Sequence, residues 1–187
     1  ENINRTNGLI SLKFIIEKFN LNIDLNSITQ QIPDLYTYID KNYGVAYDLP
    51  VAMLELLFGF KDTRDIYLFR HFLNFLLFFA STICFYHFIN QLFKNKVLSL
   101  VGLILLILSP RIFAESFYNP KDIVLMSLII FGTYYNLKFL KNESYKYIFL
   151  GALFSSLITD VRIVGAYFPI LTILIFVLNQ DGKNIKE

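Results

Sequence analysis

SPRIFAESFYNPKD, Ser109 to Asp122, is a short charged stretch set between two almost purely apolar ones. VLSLVGLILLIL precedes it at Val97 to Leu108, and IVLMSLIIFGTYYNL follows at Ile123 to Leu137. With its flanks, each run provides about 18 residues, or roughly 27 Å of helix, close to the hydrocarbon thickness of a bilayer. The stretch therefore reads as a loop joining two membrane helices where they meet water. It gathers Arg111, Glu115, Lys121 and Asp122, and charges at such a boundary mark a substrate path or a site for a charged lipid headgroup.

Composition agrees with this class. The chain has 187 residues, is 55% hydrophobic, and holds twenty Phe and no Trp. Apolar residues clustered into runs of this length identify an all-α, polytopic membrane protein. A net charge of +2 with no dense basic run excludes nucleic acid as a partner. Cys84 is the single cysteine and lies in an apolar run, so it reads as a small core residue and no intrachain disulfide can form.

Residues 1–65 read as an external loop. Leu12, Ile15, Ile16 and Phe19 recur at helical spacing, predicting an amphipathic helix over Leu9 to Phe19 that lies along the membrane surface. A polar stretch rich in Asn, Asp and Tyr follows, then a second short helix after Asp48 with Glu55 as its only charge. Residues 66–179 hold about five spans: Tyr67 to Ile89, Val97 to about Ala114, Ile123 to about Leu140, 147–160 and 163–179. The last two are separated because the apolar run from Tyr147 to Leu178 is too long for one crossing and is interrupted by Asp160, Arg162, Gly165 and Pro169. Residues 180–187 form a tail. Lys94, Lys96, Lys138, Lys141, Lys146, Lys183 and Lys186 fall on one side, which the positive-inside rule makes cytoplasmic. The external loop, residues 109–122 and the Asp160–Arg162 junction then share the outer face.

Acids and cations gathered there suit sugar transfer from a lipid-linked phosphate. The acceptor hydroxyl needs a carboxylate base. The departing phosphate needs cations to hold its charge, and Arg111, Lys121 and Arg162 are the candidates. A non-catalytic alternative is a lipid or ion transporter subunit, or a structural part of a membrane complex. A transporter places broken helices and charges near the midplane of repeated halves. Here the charges collect at one face and no internal repeat is visible.

YGVAYDLP, DTRDIYLFRHFLNFLLFF, SPRIFAESFYNPKD and DVRIVG together resemble a bacterial family-39 membrane glycosyltransferase. These are GT-C-type enzymes related to the dolichyl-phosphate-mannose protein mannosyltransferases, and the resemblance covers nearly the whole chain. It implies a GT-C-like helical bundle, a polyprenyl-phosphate sugar as donor, and a place in a bacterial inner membrane with the active face periplasmic or extracellular. Relatives carry more helices, and their external loop opens on an Asp-Glu pair bearing the catalytic Asp. Glu1 resembles the second member of that pair, so the chain reads as a fragment that does not turn over alone. The resemblance further implies a catalytic role for Asp122, with Glu115 as its neighbour, and donor-phosphate binding for Arg162. It does not place Asp160, name the sugar or acceptor, or decide whether a divalent cation assists; no metal ligands are assigned.

Each acid also has a structural reading. Asn119-Pro120-Lys121-Asp122 is a good helix start, with Asn as N-cap and an acid facing the helix dipole. Asp48, ahead of a Pro-led helix, reads as a cap or loop residue. Arg70 and His71 snorkel or pair with loop acids, and His87 is interfacial. Asp160 and Arg162, two residues apart, cannot face each other within one regular helix.

Overall fold

The computed structural model describes residues 2–20, 32–60, 62–142 and 144–184. Their regular structure is entirely helical. Helix α1 covers Asn2–Lys18 and α2 Asp48–Phe58. The bundle follows as α3, Thr63–Phe93; α4, Lys96–Ile107; α5, Pro110–Tyr118; α6, Asp122–Asn142; α7, Tyr145–Val161; a 3-10 turn, Ile163–Ala166; and α8, Tyr167–Asn184. Among the described residues, α3 and α6 are long and apolar enough to cross a membrane. The pair α4 and α5 passes the same test only when taken together as one bent element.

Helix α3 shows which solvent this fold is built for. Leu68, Phe72, Leu76, Phe79 and Ile83 recur three or four residues apart, and all are exposed. Arg70, Asn74, Ser81 and Thr82 are buried, with Ile66 and Phe78. Such a helix would be inverted in water, since its large apolar side chains face outward and its polar ones face the protein. In a bilayer that arrangement is favourable, because lipid accepts the apolar stripe and protein satisfies the polar one. The buried hydroxyls are satisfied locally: Ser81 Oγ donates to the Phe78 carbonyl at 2.7 Å, and Thr82 Oγ1 to that of Phe79 at 2.7 Å.

Helix ends follow their sequence signals. Asp62 accepts from the Arg64 N–H at 3.0 Å and starts α3, which ends at Lys94 in the left-handed conformation, φ 51°. Asn95 then accepts from the N–H groups of Val97 and Leu98, so the α3–α4 turn is only two residues long. Lys141 Nζ donates to the Gln91 carbonyl at 2.9 Å, placing the end of α6 beside that of α3. The lysine-bearing termini thus meet at one end of the bundle.

At the opposite end the expected loop over 109–122 is largely helix. Ser109 precedes a proline and adopts an extended conformation, φ −64°, ψ 111°, as the clash with the proline ring favours. Pro110 then begins α5 at a position that needs no amide hydrogen. The axis turns by 64° between α4 and α5, so the stretch expected as one span from Val97 to about Ala114 falls on two helices that pass as a span only together. The stacked rings of Phe75 and Phe117, 4.8 Å apart, hold α5 across α3.

Helices α6, α7 and α8 pack around Val124, Leu128, Ile158, Val161 and Phe168. Gly132 admits the Phe168 ring, which a Cβ at that position would overlap. The break expected near Asp160–Arg162 occurs at Arg162, which is extended at φ −147° and ψ 131°. Outside the bundle, Leu9, Leu12 and Ile16 of α1 are buried against Ala52 of α2, with Leu49 and Leu56 alongside. The apolar side of the amphipathic helix therefore packs on α2.

Candidate functional site

Two groups of charges lie at the end of the bundle opposite the contact of Lys141 with Gln91. The first joins α1 and α2 to α3. Arg70 donates to Asp48 Oδ1 at 3.3 Å and to Glu55 Oε2 at 3.5 Å, and the three side chains are 4%, 6% and 1% exposed. Arg5 of α1 closes the chain of charges from the other side, its Nε donating to Glu55 Oε1 at 2.9 Å. Asp48 is thus not the cap expected from sequence. The residue before α2 is Tyr47, which makes no capping side-chain bond, while Asp48 lies in the first helical turn and faces inward. Burial pushes its carboxyl up to about 6, against the opposing charges of Arg70 and Lys121. Desolvation thus outweighs the pair.

The second group surrounds the start of α6. Asn119 organises it: its Oδ1 accepts from the N–H groups of Lys121 and Asp122 at 3.2 and 3.0 Å, the capping role expected of it. Its Nδ2 donates to Glu115 Oε2 and to Asp122 Oδ2, each at 3.1 Å. The backbone beneath is held from α3, where Asn74 Nδ2 donates to the Ser116 carbonyl at 2.8 Å. Asp122 Oδ1 pairs with Arg162 at 2.5 Å, and these side chains stay 48% and 44% exposed. Glu115 Oε1 accepts from Arg111 at 2.9 Å, one turn back on α5. Both oxygens of Asp122 and both of Glu115 are therefore engaged.

Lys121 has a different kind of partner. Its ammonium lies 3.5 Å from the centroid of the Tyr43 ring, a cation–π contact. Burial lowers its pKa below the ordinary lysine range; Asp48 opposes this and Arg162 adds to it. A cation in that setting gains from an arriving anion.

A cavity of about 1590 Å³ opens between α6, α7 and α8. Tyr43, Lys121, Asp160 and Arg162 line it where α6 begins, and Phe139 and Phe176 line it toward the other end. From Lys121 to Phe139 the helix rise amounts to about 27 Å, so the cavity follows most of a membrane crossing. Polar residues along it are mostly turned back on their own helices. Thr133, Ser155, Thr159 and Thr172 donate their hydroxyls to carbonyls four residues earlier. Asn136 Nδ2 donates to Thr172 Oγ1 at 2.9 Å. The long part of the cavity is consequently apolar in effect, and its cations stand at one end.

Of the residues singled out from sequence, Lys121 and Arg162 line this cavity, while Asp122 reaches it through Arg162. Arg111 is 85% exposed and is not among the lining residues. Glu1 lies outside the described residues. Asp160 and Arg162 do not pair with each other: Asp160 Oδ2 accepts from the Ala46 N–H at 2.6 Å, and Arg162 turns to Asp122. Tyr43 was missed because nothing in a Tyr-rich polar stretch separates one ring from the next. Arg70, expected to snorkel or pair with loop acids, makes two such pairs; Arg5 and Glu55 gave no signal of belonging with it. Among the described residues, no three His, Cys, Asp or Glu side chains come together as a metal site.

Comparison with curated proteins and with solved structures returns no match. Residues 50–187 match the family described as Dolichyl-phosphate-mannose-protein mannosyltransferase, a stretch that contains α3 to α8, the whole second charge group and the cavity except for the contribution of residues 42–44. The chain belongs to the dolichyl-phosphate-mannose-protein mannosyltransferase family, and is by that kinship an integral membrane glycosyltransferase of the mannosyltransferase type.

Proposed function

We propose that the protein transfers a sugar from a polyprenyl-phosphate donor to an acceptor hydroxyl at the outer face of a bacterial plasma membrane. The observation that carries this reading is the cavity: two cations at one end, then a wall of apolar character about as long as a bilayer leaflet pair is thick. A free nucleotide sugar has no use for such a groove, whereas a phosphate on a prenyl chain matches it at both ends. Lys121 and Arg162 hold the phosphate. Attack by the acceptor oxygen on the anomeric carbon breaks the bond from that carbon to the phosphate oxygen. The phosphate leaves as an anion on its lipid, so it needs positive charge and no proton. The acceptor's proton passes to a carboxylate base, a role that the family resemblance gives to the acidic pair of which Glu1 reads as the second member. Asp122 and Glu115, with both oxygens engaged, serve best by holding Arg162 and Asn119 in place. The lysines gathered at the opposite end of the bundle support the outer face.

The test is transfer by the complete protein in liposomes, with polyprenyl-phosphate mannose and other polyprenyl-phosphate sugars set beside nucleotide sugars. Transfer from a lipid-phosphate sugar that loses donor affinity in Arg162→Gln supports the reading. Transfer from nucleotide sugars alone overturns it.

A further inference from the structure

Asp160 is an acid at the end of the cavity where, on the reading above, an anion must sit, and Arg162 stands two residues away. The Asp160 Oδ2 accepts from the Ala46 N–H at 2.6 Å. The chain around Ala46 is pressed tightly to the same point: a Cβ on Gly44 would overlap the Asp160 backbone carbonyl. Residues 42–46 therefore form a strap across the C-terminal end of α7, and Asn42, Tyr43 and Gly44 of that strap line the cavity. Tyr43 is the strap's contact with the cations, since its ring lies against the Lys121 ammonium at 3.5 Å.

We infer that Asp160 is a positioning residue for donor binding, acting through this strap. The claim rests on the proposed lipid-phosphate chemistry and deepens it. Asp160 anchors the strap, the strap places the Tyr43 ring, and the ring holds the Lys121 ammonium toward the cavity end, where it meets the phosphate with the ring still against it. The carboxylate is at the same time held on a backbone N–H. Gly44 is required for this, because no larger residue lets the strap approach the end of α7 so closely.

The experiment uses the complete protein in liposomes, with two readouts. In steady-state kinetics with polyprenyl-phosphate mannose, Asp160→Ala and Tyr43→Ala should each raise donor KM about fivefold, within the range of a cation–π contact, and leave kcat and acceptor KM little changed. Asp160→Asn keeps an acceptor oxygen for Ala46 and should restore most of the donor KM, and Tyr43→Phe should keep it through its ring. In hydrogen exchange without donor, the 42–48 segment should exchange faster in Asp160→Ala and Gly44→Ala than in wild type. Wild-type donor KM in Asp160→Ala, or a loss confined to kcat, overturns the assignment. Unchanged exchange at 42–48 overturns the anchoring. If the wild-type protein binds no polyprenyl phosphate while the exchange effect appears, the donor reading itself fails, and Asp160 is reduced to a structural tether.

Discussion

Arg70 and Arg162 stand at the same end of the bundle, yet 4% of one side chain is exposed and 44% of the other. Arg70 is locked between Asp48 and Glu55, with Arg5 behind, in a group whose charges satisfy one another. Among the described residues Arg162 pairs with one carboxylate, that of Asp122, and an open cavity lies beside it. The difference separates holding from binding. Buried charges with full sets of partners have nothing left for a ligand, and they join helices α1 and α2 to the membrane helix α3. Half-exposed charges at a cavity end can exchange water for a phosphate at little cost. A place at the same end of a membrane helix, all that sequence could see of either arginine, does not distinguish them.

The largest effect should come from breaking the buried group. Arg70→Met leaves Asp48 without its salt bridge in a site that admits little water, and removing one partner of such a pair costs about 3–5 kcal/mol. The expected outcome is a protein that aggregates or melts far earlier in detergent, measured by thermal unfolding on a size-exclusion column. If Arg70→Met melts with the wild type but transfers no sugar, the two groups have been assigned the wrong way round.

Arg162→Gln should do the reverse. Its pair with Asp122 is half exposed, so the loss of stability should be about 1 kcal/mol or less. Donor KM should rise by at least about tenfold, as expected for losing a charge-assisted contact to phosphate. Asp122→Asn should give a smaller rise in donor KM, because it weakens the hold on Arg162 without removing the cation. An Asp122→Asn enzyme that loses about a hundredfold or more in kcat at unchanged donor KM would return Asp122 to the reacting atoms.

Asp48 sharpens the contrast through pH. Its folded-state pKa, raised from 3.8 to about 6 chiefly by burial, means that the native state holds its proton more tightly than the unfolded chain does. The resulting contribution to stability is fully present below pH 3.8 and is lost as pH rises through about 6. Wild type compared with Asp48→Asn should therefore lose relative thermal stability between those limits and show a constant difference above them. A difference that grows with rising pH would mean that Arg70 outweighs burial, and that the pair lowers the carboxyl.

Much of this architecture was legible in one dimension. The apolar runs located α3 and α6, the Asp160–Arg162 interruption located the break before α8, and Asn119-Pro120 located the start of α6. All of these are local signals, set by a single residue's conformational preference or by a hydrophobic period. The Pro110 helix was equally local but was obscured by its charges, which suggested a loop. The site was less legible because its contacts are distant along the chain. Arg70 meets a residue 22 positions away, and Ala46 meets one 114 positions away. No spacing rule pairs Arg162 with Asp122, and none separates Arg111 from the other two cations that sequence grouped with it.

Arg111 supplies the smallest expected effect and the most direct check on that separation. It sits in the first turn of α5, 85% exposed, with Glu115 one turn onward as its partner. Removing it releases only Glu115 Oε1. Glu115 Oε2 remains on Asn119, Asn119 remains on Asp122, and Asn74 still holds the α5 backbone at Ser116. Arg111→Ala should therefore change donor KM and kcat by less than about twofold, in keeping with an exposed i,i+4 pair. A comparison of Arg111→Ala with Arg162→Gln in one liposome assay decides the matter, since both remove one positive charge from the same end of the molecule. If long-range attraction of the lipid phosphate were what mattered, the two would act alike and both effects would shrink together in high salt. If contact at the cavity end matters, only Arg162→Gln raises donor KM, and salt leaves the gap between the variants open.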